Sequence, residues 1–327
     1  MYRKDISNFM LKKFREKFPI CSCIVVIVVY LLIFQLSAIV AGMVLKQIFA
    51  IQLVSMLFTD VFLLVILWAM GFGNALTQKS KGVLYSLGTG GYMLMVGALA
   101  TVSNFAMYAF TEDYKIRPLA SAGEIVIFIL AMFGIGFTEE LVFRGIVTNI
   151  LKEKFSVRTD RGIFLVIVVQ GVLFGGCHMT NMLSGIGLES ALVQSVMASF
   201  LGMLLGAIYL RTGSLWFVML LHAWNDFGAL LASGFFKMNT LAGSISEYTW
   251  GKLVGLPVYL AVILILLRPS KRREIKDDMI YPPTLGIQIA KGVGLTIFCV
   301  GLLILVAVSM FITAHSDITE KMLEGYF

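Results

Sequence analysis

Residues 122–151 read AGEIVIFILAMFGIGFTEELVFRGIVTNIL. The run exceeds the roughly 20 mostly apolar residues that cross a bilayer as a helix. Its interior nevertheless holds two adjacent carboxylates, Glu139 and Glu140, and one cation, Arg144. An ionisable group at mid-membrane costs roughly 2.5–3.5 kcal/mol on insertion scales, so each needs a partner or a purpose. Glu140 and Arg144 are four apart and share a helix face, which predicts an ion pair within the helix. Adjacent residues point about 100° apart, so Glu139 faces elsewhere. It is the freer carboxylate, buried beside a like charge, a setting that suits a general base. A charge trio that only packs helices together is the plainer alternative.

Similar apolar runs lie on both sides of this one. The 327 residues are 59% hydrophobic and 14% charged, with a mean hydropathy of +0.91, well above the 45–50% apolar content of soluble domains. About nine spans are expected, near 21–47, 51–72, 84–110, 122–151, 162–179, 189–210, 214–234, 250–267 and 287–313. The fold class is therefore all-α, a polytopic transmembrane helical bundle. The turn at 211–213 is short enough to make a helical hairpin of the two spans it joins.

Charge sets the expected orientation. Arg3, Lys4, Lys12, Lys13, Arg15 and Lys17 precede the first span, which places the N-terminus in the cytoplasm. Lys79 and Lys81, then Lys152, Lys154, Arg158 and Arg161, then Arg211, then Arg268, Lys271, Arg272, Arg273 and Lys276 fall on the same side. The opposite connections are poor in basic residues and include Glu112, Asp113 and Glu247. Nine crossings leave the C-terminus outside. The net charge of +7 is thereby accounted for by membrane orientation and anionic lipid rather than nucleic acid. The first 20 residues do not read as a cleavable signal, because the basic stretch and the apolar run after it are both too long. Ile6, Phe9, Met10, Phe14 and Phe18 recur at roughly helical spacing there, which fits an amphipathic helix on the inner membrane face; a disordered basic tail is the alternative. The stretch 268–283, RPSKRREIKDDMIYPP, is the most linker-like. Cys21, Cys23, Cys177 and Cys299 have neither zinc-ribbon spacing nor the pattern of a disulfide framework.

Two further spans carry chemistry. The fifth ends in Phe174-Gly175-Gly176-Cys177-His178, and the seventh holds His222-Ala223-Trp224-Asn225-Asp226. His222 and Asp226 share a face. Either Asp226 orients the imidazole or both line a site, while Asn225 is expected to point elsewhere. At 1.5 Å per residue, Glu139, His178 and His222 lie roughly 18, 24 and 12–14 Å from the inner ends of their spans, so one cavity can serve all three. Asp60, in the second span, either lines that cavity or is buried as a neutral acid. Cys177 is a packing residue or, less simply, a nucleophile. Glu139, His178 and His222 also offer donors that zinc could use, although no H-E-x-x-H helix is present, so zinc stays open beside a metal-free site.

Taken together, these residues resemble the CPBP family, the CAAX-protease and bacteriocin-processing (Abi) intramembrane proteases. E-E-x-x-x-R matches Glu139, Glu140 and Arg144; F-x-x-x-H matches Phe174 and His178; H-x-x-x-N/D matches His222 and Asp226, with Asp where Asn is commoner. The resemblance covers about residues 122–230. It implies a catalytic transmembrane core at 122–234, set between a basic segment at 1–20, N-terminal spans at 21–121 and C-terminal spans at 235–327. It also implies catalytic roles for Glu139, Glu140, His178, His222 and Asp226, supported by Arg144 and Phe174. Glu139 and His178 would activate water, and His222 and Asp226 would stabilise the oxyanion. An ionised Asp226 cannot donate a hydrogen bond, so it would have to be protonated or act through His222. The implied partners are the lipid bilayer and a hydrophobic or lipidated peptide substrate, and the expected setting is a bacterial plasma membrane. A proton-coupled transporter and a non-catalytic bacteriocin-immunity or scaffold protein are the rival functions.

Overall fold

The computed structural model describes residues 6–110 and 119–279, together with 286, 287, 289, 290, 292–294, 297 and 301. Helices dominate these residues. Seven are long and apolar enough to cross a membrane, with an eighth if a bent pair near residue 268 counts as one span.

The chain opens with α1 (Ile6–Lys17) and turns at Phe18 into α2 (Pro19–Val44), with proline in the first helical turn where its missing N–H is not needed. The segment read as amphipathic helix or basic tail is thus a helix. Arg15 pins it: its guanidinium donates to the Met70 carbonyl, lies 3.1 Å from Glu153 and stacks 4.3 Å over the Phe72 ring. α3 (Ile48–Ala69) and α4 (Val83–Phe110) follow. α5 (Ala122–Glu140) begins with a capping box in which Ser121 and Glu124 satisfy each other's backbone N–H. It continues through a π-helical turn, Leu141–Val147, into α6 (Thr148–Phe155), making one span of Ala122–Phe155. α7 (Asp160–Cys177) tightens into a 3-10 turn, His178–Ser184.

α8 (Leu188–Thr212) and α9 (Leu215–Gly234) form the expected hairpin. Gly213 caps α8 at a φ of 68°, and the Ser214 side chain accepts from the Phe217 N–H to start α9. The short α10 (Leu241–Ser246) precedes α11 (Leu256–Leu266), and Pro269 then starts α12 (Pro269–Lys276) at a 57° bend. The stretch read as a linker is therefore partly a docked helix: Lys271, Glu274 and Ile275 are buried. The ninth expected span, 287–313, falls mostly outside the described residues, and Glu112 and Asp113 lie outside them.

Within the bundle α5 packs on α3 and α9, α4 on α9, and α7 on α8. Large apolar side chains such as Leu36, Val61, Val65 and Leu220 point outward, as expected where lipid tails replace water. Two close approaches fix the geometry around the polar residues. A methyl group on Gly136 of α5 would sit 2.7 Å from the Ala223 nitrogen of α9, and one on Gly175 of α7 would sit 2.7 Å from the Ser199 nitrogen of α8. Only glycine lets these backbones touch.

Candidate active site

Four helices bring the charged residues together. At the end of α5, Arg144 Nη1 donates to Glu140 Oε1 at 2.6 Å, and both side chains are fully buried. The ion pair expected from the four-residue spacing is present. The π-helical turn that contains Arg144 is buried throughout. Nη2 of Arg144 donates to the Gly202 carbonyl of α8 at 2.7 Å, and Gln170 of α7 donates to that same carbonyl at 2.8 Å. The guanidinium also lies 5.0 Å from the centre of the Phe174 ring. One cation thus ties α5, α7 and α8 into a single polar core.

Glu140 extends the network to α9. Its Oε1 lies 2.8 Å from His222 Nδ1. A carboxylate can only accept there, so Nδ1 carries the proton and donates. The other ring nitrogen, Nε2, faces Glu139 Oε2 at 3.7 Å and Asp226 Oδ2 at 3.5 Å. Of the four residues, Glu140 and His222 are sealed in, whereas the Glu139 and Asp226 side chains keep 18% of their surface open. The two open carboxylates meet at one imidazole nitrogen. Asp226 therefore contacts His222, as their shared face predicts. Asn225 departs from expectation: its Nδ2 donates to Asp226 Oδ1 at 3.4 Å. Neighbouring helix positions diverge at Cβ, but a long amide next to a carboxylate can curl back to it.

His178 joins from α7 by way of an aromatic ring. Phe174 stands edge-on to both imidazoles, with centroids 5.1 Å from His178 and 5.7 Å from His222, and edge-on to Phe143 at 4.9 Å. His178 Nδ1 is 3.1 Å from the Phe174 carbonyl. A carbonyl accepts, so Nδ1 holds the proton and Nε2 is the basic nitrogen. Cys177 donates to the Leu173 carbonyl of its own helix at 3.3 Å, the pattern of a packing thiol. Among the described residues, no group of three His, Cys, Asp or Glu side chains is placed to hold a metal ion.

Two residues from the N-terminal helices border the cluster. Asp60 of α3 is buried beside Thr138, the residue before Glu139, and Asp60 Oδ1 and Thr138 Oγ1 each lack a partner of hydrogen-bonding geometry. Asp60 is therefore a buried acid next to the residue that precedes Glu139. Tyr30 of α2 is buried within electrostatic reach of Glu139, Asp60 and Cys177. Its one sequence signal is a phenol inside the otherwise apolar IVVIVVYLLIF. Gln170 gave an equally faint signal, a lone amide in an apolar run.

Residues 121–228 match the family model described as Rce1-like, type II CAAX prenyl endopeptidase Rce1-like. These residues are CPBP-family, CAAX-protease sequence. The match starts at the N-cap of α5 and ends two residues beyond Asp226, so the CAAX-protease segment contains Glu139, Glu140, Arg144, Phe174, His178, His222 and Asp226. It covers about a third of the chain. Tyr30 and Asp60 come from helices outside it. Neither the curated proteins nor the solved structures give a match. With its long apolar helices and its CAAX-protease segment, the chain is an integral membrane protein.

Proposed function

We propose that this protein is an intramembrane endopeptidase that hydrolyses a peptide bond of a membrane-associated or lipidated peptide. The observation that carries the proposal is the meeting of two partly open carboxylates, Glu139 and Asp226, at His222 Nε2, inside a sealed Glu140–Arg144 core. A buried ion pair alone would need neither the second carboxylate nor the imidazole. The CAAX-protease segment supports endopeptidase activity in general; the prenylated C-terminal peptide implied by the family description is the first substrate to test.

In the proposed reaction, water sits between Glu139 and His178. Glu139 takes its proton as the oxygen attacks the peptide carbonyl, and the basic Nε2 of His178 accepts the second hydrogen bond and aligns the lone pair. The carbonyl oxygen becomes an oxyanion, which His222 stabilises as an imidazolium, its Nδ1–H held by Glu140 and its Nε2–H donated to the oxyanion. Asp226 acts through His222, and Asn225 steadies Asp226. Glu140 is a positioning residue: it accepts from His222 Nδ1–H and fixes the ring while Arg144 holds Glu140. Collapse of the intermediate breaks the C–N bond, and the proton on Glu139 passes to the leaving amine. One water is consumed and one bond is cut.

The proposal also orients the protein. The end of the bundle that gathers Lys79, Lys81, Lys152 and Arg211 faces the cytoplasm, in line with the positive-inside rule.

The purified protein in liposomes, incubated with one peptide in prenylated and unprenylated forms, tests the substrate class by mass spectrometry. Cleavage of the prenylated form, lost in His178→Ala, is the expected result. Transport of the intact peptide with no fragment, unchanged in His178→Ala, would establish the transporter instead.

A further inference from the structure

A second polar site lies at the basic end of the bundle, away from the catalytic residues. A pocket of about 90 Å³ is lined by Lys79, Lys81, Lys152, Arg211, Glu274 and Asp278, four cations against two acids. The imbalance is greater than that count, because Glu274 is already engaged. Lys271 donates to its Oε1 at 2.6 Å, and the Tyr85 hydroxyl donates to its Oε2 at 3.2 Å. Lys81 keeps a longer ion pair with Glu274, at 3.7 Å, with its side chain only 9% exposed.

Arg211 is 5% exposed. One of its amino groups is spent on the Tyr85 hydroxyl, at 2.6 Å, and its Nε has no acceptor. A buried guanidinium N–H without an acceptor costs free energy that a bound anion would recover. The pKa of the Lys81 ammonium is held down chiefly by its burial. Burial, with Arg211 and Lys271 alongside, brings it from 10.5 down to about 8 despite the opposing pull of Glu274.

We propose that this pocket binds a phosphate group, presented by the headgroup of an anionic phospholipid. Its volume is ample for one tetrahedral oxyanion. Its cations come from the α3–α4 connection (Lys79, Lys81), α6 (Lys152) and the last turn of α8 (Arg211), while α12 contributes the acid Glu274. Basic pockets between membrane helices at this level recognise lipid phosphates. A headgroup seated here would join the CAAX-protease segment to the C-terminal α12. The site is independent of the proposed proteolysis.

The test compares thermal unfolding of the full-length protein in nanodiscs of phosphatidylcholine with and without phosphatidylglycerol. Wild type should gain several degrees with phosphatidylglycerol, and Lys81→Gln and Arg211→Gln should lose most of the gain. Arg161→Gln, which removes one exposed charge elsewhere, should keep it. Lys81→Gln carries the result if Arg211→Gln fails to fold. Inorganic phosphate added to phosphatidylcholine discs separates the sources: a gain there that Lys81→Gln abolishes supports the pocket with a soluble oxyanion as its ligand, and no gain there leaves the headgroup. Equal responses of wild type and Lys81→Gln to both anions would overturn the proposal.

Discussion

One oxygen, Glu140 Oε1, accepts from Arg144 at 2.6 Å and from His222 at 2.8 Å. A single buried atom therefore sets a cation on its own helix and an imidazole on another. Breaking a buried pair by removing one partner strands the other charge, at a cost of about 3–5 kcal/mol. Glu140→Gln and Arg144→Met should each destabilise by about that amount, and the double variant should lose less than the sum. Equilibrium unfolding in detergent reads the cycle; additive losses would show that the pair is not coupled. Helix periodicity made this pair legible in the sequence. The hydrogen bond from His222 was not legible, because it depends on how α9 rotates against α5. For the same reason the sequence could name Asp226 as a neighbour of His222 but could not place Asp60 beside Thr138.

The elements are set by where helices can approach. Gly136 allows the α9 backbone to lie against α5 at the level of Ala223, one residue from His222. Gly136→Val should push the helices apart and cost about 1–3 kcal/mol as overpacking. Activity should fall further than stability, since His222 would leave the Glu139 carboxylate. Parallel measurement of unfolding and peptide cleavage checks this; a variant with unchanged cleavage would mean the approach does not position the site. Hydropathy placed the long helices between 19 and 234 within a few residues, because each run is long, apolar and bounded by caps or glycine, and it passed over the short α10. It could not foresee the π-helical turn at Leu141–Val147, where backbone spacing shifts to seat Arg144. Nor could it show that α12 docks, since charge dominates that segment while three of its residues are buried.

At the scale of the whole molecule, the basic residues separate from the rest. Lys79, Lys81, Lys152 and Arg211 are distant in sequence and yet line one pocket, as the alternation of charge between spans requires. Single cysteines at positions 79 and 154 should react with a membrane-impermeant thiol reagent only from the cytoplasmic side, and one at 247 only from the opposite side. Labelling of all three from one side would refute the orientation. The pocket also predicts a pH dependence. Lys81 loses its proton near pH 8, and an anion prefers the charged form. Stabilisation by phosphatidylglycerol should therefore be full below pH 8 and decline above it. Lys81→Arg, which stays charged, should carry the effect to higher pH. Equal decline in both proteins would assign the titration to another group.

The account stands or falls on Glu139 as the base inside the membrane. Its most direct test is the cleavage rate of a quenched-fluorescent peptide ending in a prenylated Cys-a-a-X sequence, measured in proteoliposomes containing wild type or Glu139→Gln at matched insertion and thermal stability. Removing a general base should lower the rate by about 10²–10⁴-fold. Cleavage by Glu139→Gln at the wild-type rate would contradict the account.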